Sequence, residues 1–156
     1  MPWVEFGEFR IVNYGKDTIF DKTDFLLEMT KPYVYRYKGK DYSNSIGDVS
    51  DGASIPDLFK KIAGDNYYTN SKKLEELIKA INSKGSYVPA AFIHDIICKL
   101  GLEGNPVCSW EDAHNIFYNA MIENGVPKFS GFLGLGGAWA KYQAVKIGMY
   151  FKRWKY

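Results

Sequence analysis

The sequence predicts an α+β fold, with an N-terminal β-hairpin or small sheet leading into a helical core built on an antiparallel helix pair. Three observations predict it. Tyr33-Val34-Tyr35-Arg36-Tyr37 alternates, is rich in β-formers and is followed by a turn at Lys38-Gly39-Lys40 before Asp41-Tyr42. Beyond residue 70, apolar residues recur at helical spacing in successive segments, each with its own start and stop signals. Between these regimes, Ser50-Asp51-Gly52-Ala53-Ser54-Ile55-Pro56 has the composition of a loop. A length of 156 residues with 46% apolar content suits one domain, 1–156, with residues 1–50 β-rich and 51–156 helical.

Within the β-rich part, short strands are expected around Val4–Phe9 and Phe25–Met29, besides the Tyr33–Tyr37 strand. Pro56 is suited to the first turn of a short helix from Asp57 to about Ala63. Residues 71–83 read as an amphipathic helix: Ser71 can cap it, Leu74, Leu77, Ile78 and Ile81 form its stripe, and Gly85 follows. The next helix starts at Tyr87-Val88-Pro89 and stops at Gly101. A third opens at Ser109-Trp110-Glu111-Asp112, which resembles a capping box, and ends at Asn124-Gly125. Gly131–Gly137 is a glycine-rich hinge before a last helix from Ala138 to about Trp154.

The run Pro89-Ala90-Ala91-Phe92-Ile93-His94-Asp95-Ile96-Ile97-Cys98 places an ionisable pair in an apolar helix. At helical period His94 lies mid-face among Ala90, Ala91, Ile97 and Cys98, a face that helices bury. A buried imidazole beside a carboxylate requires pairing, hydrogen bonding or a metal. Asp112, at the start of the facing helix, can accept the His94 Nδ1 proton and leave Nε2 as a base. At the third helical position it can equally serve only its own helix start. Asp51 sits beside Gly52, where backbone can approach a ligand closely. Asp51, the Gly52 carbonyl and Asp95 would make an oxygen-rich site suited to Ca²⁺, although Asp-Gly-Ala-Ser is also an ordinary turn. His114, two residues past Asp112, is read as solvated. No Walker motif, nucleophile elbow or zinc spacing is present, and Cys98 and Cys108 do not make a disulfide framework.

The order Asp51-Gly-Ala-Ser-Ile-Pro56, Pro89-Ala-Ala-Phe-Ile-His-Asp95, Asp112-Ala-His-Asn-Ile-Phe-Tyr-Asn-Ala-Met121 and Ala138-Trp-Ala-Lys-Tyr-Gln-Ala-Val-Lys-Ile-Gly148 resembles a family of small uncharacterised phage and prophage proteins. The same string resembles the bacterial secreted phospholipases A₂, with their acidic calcium loop, Cys-x-x-His-Asp helix, Asp-x-x-Phe-Tyr helix and closing Trp-x-x-Tyr-x-Ala-Val helix. The resemblance covers residues 51–56 and 87–148. It implies a phospholipase A₂-like helical core and a calcium-dependent ester hydrolase. His94 would be the base, Asp112 would orient it, and Asp51, Gly52 and Asp95 would hold Ca²⁺. The cysteines that join the calcium loop to the His-Asp helix in that family correspond here to Ala53 and Ala91. About thirty residues, including the 71–83 helix, are inserted between loop and helix, and the β region has no counterpart.

The net charge of +2 is unevenly placed. After Glu123 there is no acidic residue, while Lys128, Lys141, Lys146, Lys152, Arg153 and Lys155 give that tail +6 and leave −4 for the rest. Interleaved aromatics from Trp139 to Tyr156 suit an anionic lipid surface, with other virion proteins as alternative partners; nucleic acid is not expected. The opposite expectation is a solvated helix whose aromatics sit in the core. No spanning-length apolar run and no signal-peptide layout is seen, so the expected location is the cytoplasm of the producing host, or the virion. The alternatives to lipid hydrolysis are a non-catalytic virion or tail protein on the same scaffold and a His/Asp hydrolase acting on cell wall.

Overall fold

The β-formers of the N-terminal part pair into two small antiparallel sheets. Their coordinates come from a computed structural model, which describes residues 2–12, 26–45, 47, 49–50, 76, 79–80, 82–131 and 137–156. The strands are β1 (Trp3–Glu5), β2 (Glu8–Val12), β3 (Leu26–Lys31), β4 (Val34–Tyr37), β5 (Lys40–Ser43) and β6 (Val49–Ser50). One sheet has the order β1-β4-β5 and the other β2-β3-β6.

The expected Val4–Phe9 strand is therefore split, and its halves serve different sheets. Gly7 lies at the break. A Cβ there would stand 2.5 Å from the Lys31 carbonyl oxygen and 2.8 Å from the Tyr33 nitrogen, so only glycine lets the chain pass between the sheets. The β4–β5 hairpin matches its sequence signal. Lys38 and Gly39 both have positive φ, 48° and 77°, the geometry of a two-residue turn that matches strand twist.

Three helices follow among the described residues: α1 (Val88–Leu102), α2 (Trp110–Glu123) and α3 (Ala138–Met149). Pro89 stands in the first turn of α1, where its missing N–H has no intrahelical partner to lose. Ser109 caps α2 by accepting a 3.1 Å hydrogen bond from the Asp112 backbone N–H. Asn124 Nδ2, at the far end of α2, donates to the Ser86 carbonyl just before α1 at 2.7 Å. The start of α1 thus lies beside the end of α2, and the pair is antiparallel as expected.

α3 stops sooner than its periodicity predicts. It passes into a 3₁₀ turn over Tyr150–Lys152, and Arg153 is extended. The reason is tertiary. Trp154 turns back, donates from Nε1 to the Cys108 carbonyl at 2.8 Å and lays its indole where a Gly101 side chain would be.

One apolar core joins the sheets to the helices. Phe92 of α1 packs on Phe9, with ring centres 5.4 Å apart, and stacks on Tyr33 at 5.7 Å. Trp3 Nε1 donates to the Ala120 carbonyl of α2 at 3.3 Å. Tyr33 hydrogen-bonds Asn82, whose Nδ2 donates to the Gly7 carbonyl at 3.0 Å. The arrangement is α+β, as the sequence predicts. No described helix is long and apolar enough to cross a membrane. The loop at Asp51–Gly52 and the helix expected from Asp57 lie outside the described residues. Of the helix expected at 71–83, Glu76, Lys79 and Ala80 are helical, Asn82 and Ser83 already form a turn and a bend, and the rest lies outside the described residues.

Candidate functional site

α1 turns Val88, Ala90, Phe92, Ile93, Ile97 and Gly101 into the protein, and this packing carries His94 inward with them. His94 is 5% exposed, and its ring lies 4.8 Å from that of Phe117 on α2. Its inner nitrogen, Nε2, is 2.9 Å from His114 Nδ1 and 3.4 Å from Cys98 Sγ. Its Nδ1 lies on the other side, 3.9 Å from Asp95 Oδ1. The expected polarity of the ring is thus reversed: Nε2 is the anchored atom, and Nδ1 is the one left for chemistry.

The anchor is also a different residue. His114, read from the sequence as solvated, is completely buried. Asp112, expected to orient His94, points elsewhere. Its Oδ1 accepts from Tyr37 Oη at 3.4 Å and from Lys38 Nζ at 3.3 Å, tying α2 to the β4–β5 hairpin. Helical geometry explains the exchange. Residues two apart project to different sides of a helix, and the side of α2 that meets the core carries Trp110, Ala113, His114, Phe117 and Met121. The sequence held this signal, since Trp110, His114, Phe117 and Met121 recur at i, i+4, i+7 and i+11. His114 lies inside that stripe and Asp112 outside it.

Burial, the neighbouring His94 and then Lys146 push the His114 pKa down from 6.5 to about 4, so at neutral pH the ring is uncharged. One proton can then sit between the two imidazoles. On His94 Nε2 it leaves Nδ1 bare and basic. On His114 Nδ1 it leaves His94 carrying its own proton on Nδ1. His114 accepts from His94 in the first arrangement and donates to it in the second, so a neutral His114 holds the ring without taking its charge. Among the described residues His114 Nε2 and Trp110 Nε1 are buried without hydrogen-bond partners, and the two rings meet edge to face at 4.6 Å. Burial raises the neighbouring Cys98 thiol to about 12, so it is no nucleophile at neutral pH.

His94 and Asp95 line a cavity of about 270 Å³ between the helices, walled by Tyr87, Ala91, Phe117, Lys141 and Val145 among others. The side chain of Asp95 is 66% exposed, and Lys141 Nζ lies 5.0 Å from the centre of the Tyr87 ring. The cavity therefore offers an imidazole, a carboxylate and an ammonium group against apolar walls. Lys141 was not singled out by sequence reading, because a single lysine in a basic helix carries no distinguishing pattern. Of the residues expected to hold Ca²⁺, Asp95 is at this cavity, while Asp51 and Gly52 lie outside the described residues. Among the described residues no group of three or more His, Cys, Asp or Glu side chains is placed to hold a metal ion.

Residues 75–143, a little under half the chain, match a family described as "Protein of unknown function (DUF1353)". The matched stretch contains His94, Asp95, Cys98, Asp112, His114 and Lys141. No curated protein matches the chain, and no solved structure matches it.

Proposed function

We propose that this chain is an ester hydrolase of the phospholipase A₂ type, in which His94 Nδ1 takes the proton of an attacking water. The observation that carries the proposal is the division of labour on one imidazole: Nε2 is held by His114, Nδ1 lies towards Asp95, and His94, Asp95 and Lys141 line one 270 Å³ cavity. A ring held at one nitrogen keeps its orientation and tautomer at the other, as a general base requires. The Lys141 ammonium supplies positive charge at the cavity wall, where an ester oxyanion or a lipid phosphate would be stabilised.

The order of motifs supports the same reading. In the phospholipase pattern Asp-x-x-Phe-Tyr, the acid stands three residues before the aromatic pair. Counted back from Phe117-Tyr118, that position is His114. This chain would then use a neutral histidine where those enzymes use a carboxylate, and the imidazolium formed on His94 would keep its inner proton, donating it as a hydrogen bond to His114 Nδ1.

The test is fatty-acid release from phosphatidylglycerol vesicles, with Ca²⁺ and with chelator. His94→Ala should lower the rate by about 10²- to 10⁴-fold, the range of a general base, while circular dichroism stays unchanged. Dependence on Ca²⁺ would bring the Asp51–Gly52 loop and Asp95 into the mechanism. Turnover that survives His94→Ala, or no release from any phospholipid, would overturn the proposal.

A further inference from the structure

The outer side of α3 is uncharged and largely apolar, with its large side chains exposed. At helical period Trp139, Ala140, Gln143, Ala144, Ile147, Tyr150 and Phe151 share one side of the helix and its 3₁₀ extension. Ile147 is 74% exposed and Phe151 95%, with Trp139 and Tyr150 near half. Phe129, 60% exposed, extends the patch from the neighbouring loop, its ring 6.2 Å from that of Trp139. Scattered exposed apolar residues are ordinary, but large ones grouped on one side of a helix mark a contact surface.

The borders of the stripe say what it contacts. Lys146 follows one edge of α3 and Lys141 the other, Lys152 and Arg153 stand at its C-terminal end, and Lys128 and Lys155 lie beyond the two ends. No acidic residue occurs after Glu123. Lys146 and Arg153 lie over the rings of Tyr142 and Tyr150, at 5.0 and 4.5 Å, which holds their charges close to the helix. An apolar stripe with aromatic ends and cationic margins fits a surface whose interior is hydrocarbon and whose boundary is anionic. We infer that the α3 face, from Phe129 and Trp139 to Phe151, docks on an anionic lipid bilayer.

The placement has a consequence for the cavity. Lys141, Ala144 and Val145 of the same helix line it, and Ala144 is also at the edge of the stripe. Docking through this face would bring the cavity beside the headgroups. The inference rests on the stripe and its charges, so it stands or falls separately from the chemistry of His94.

The experiment is sedimentation of the full chain with phosphatidylglycerol vesicles and with phosphatidylcholine vesicles, at low and high salt. Binding should be at least tenfold tighter to the anionic vesicles and should weaken as salt rises. The double substitution Ile147→Asp, Phe151→Asp should reduce it at least tenfold. Both sites are exposed, so circular dichroism and thermal unfolding should be unchanged. Lys152→Glu with Arg153→Glu should reduce binding by the charge route alone. Absence of binding to anionic vesicles at low salt, equal binding to both vesicles, or a dimer in solution dispersed by Ile147→Asp and Phe151→Asp would each overturn it. Binding by His94→Ala protein equal to that of the parent separates this outcome from failure of the hydrolase proposal.

Discussion

His114 is where the largest residue-scale effects are expected. Its pKa is about 4 in the folded protein and 6.5 as a free side chain, so the unfolded chain binds the proton more tightly. The stabilisation is complete above pH 6.5 and is lost as pH falls towards 4. Its size, from that shift, is on the order of 3 kcal/mol. Urea unfolding between pH 4 and 7 should show this slope, and His114→Leu should flatten it. The same geometry separates Asp112, which the sequence offered as the partner of His94, from His114, which the sequence read as solvated. Asp112→Asn touches Tyr37 and Lys38, and should leave ester hydrolysis near the parent rate. His114→Leu removes the partner of His94 Nε2 and should slow it sharply. Equal losses in both variants would mean that Asp112 reaches the reaction after all.

Among the elements, the end of α1 and the C-terminal turn depend on each other. The Trp154 indole occupies the space a side chain at Gly101 would need, and its Nε1 is bonded to the Cys108 carbonyl. Gly101→Ala and Trp154→Ala should each destabilise the protein by about 1–3 kcal/mol. Together they should cost no more than the larger single change, because the first already displaces Trp154. Additive losses in a thermal-unfolding cycle would argue against the coupling. This contact also explains a misread boundary. The sequence placed a helix stop at Gly101 and continued α3 to Trp154, yet α1 runs through Gly101 and α3 gives way before Trp154. The glycine is there to admit an indole from fifty residues away, not to cap the helix. Where a stop signal acts locally it was legible: Ser109 caps α2, and Gly125 follows its end with a φ of +85°.

For the molecule as a whole, Phe92 is the side chain that joins the two halves. It faces Phe9 and Tyr33 from the sheets while its helix carries His94. Phe92→Ala should cost about 3–5 kcal/mol, the usual range for emptying such a site. The loss should appear as one cooperative transition reported alike by far-UV and aromatic signals. Separate melting of strands and helices would show that the halves fold independently. The charge asymmetry also belongs to this scale. Exposure of Ile147, Tyr150 and Phe151 sets aside the expectation that the C-terminal aromatics fill the core; only Trp154 and Tyr142 are drawn partly inward.

Periodicity, alternation and end signals act between residues close in the chain. By itself the sequence therefore determined the α+β order, the β4–β5 turn, the α1–α2 pair and the burial of His94. It did so because each depends on spacing along one strand or helix. What His94 meets is a matter between helices, and only the packing of α1 on α2 decided it. A shift of two residues around α2 exchanges a half-buried carboxylate bonded to the β4–β5 hairpin for a buried imidazole, and with it the partner of His94.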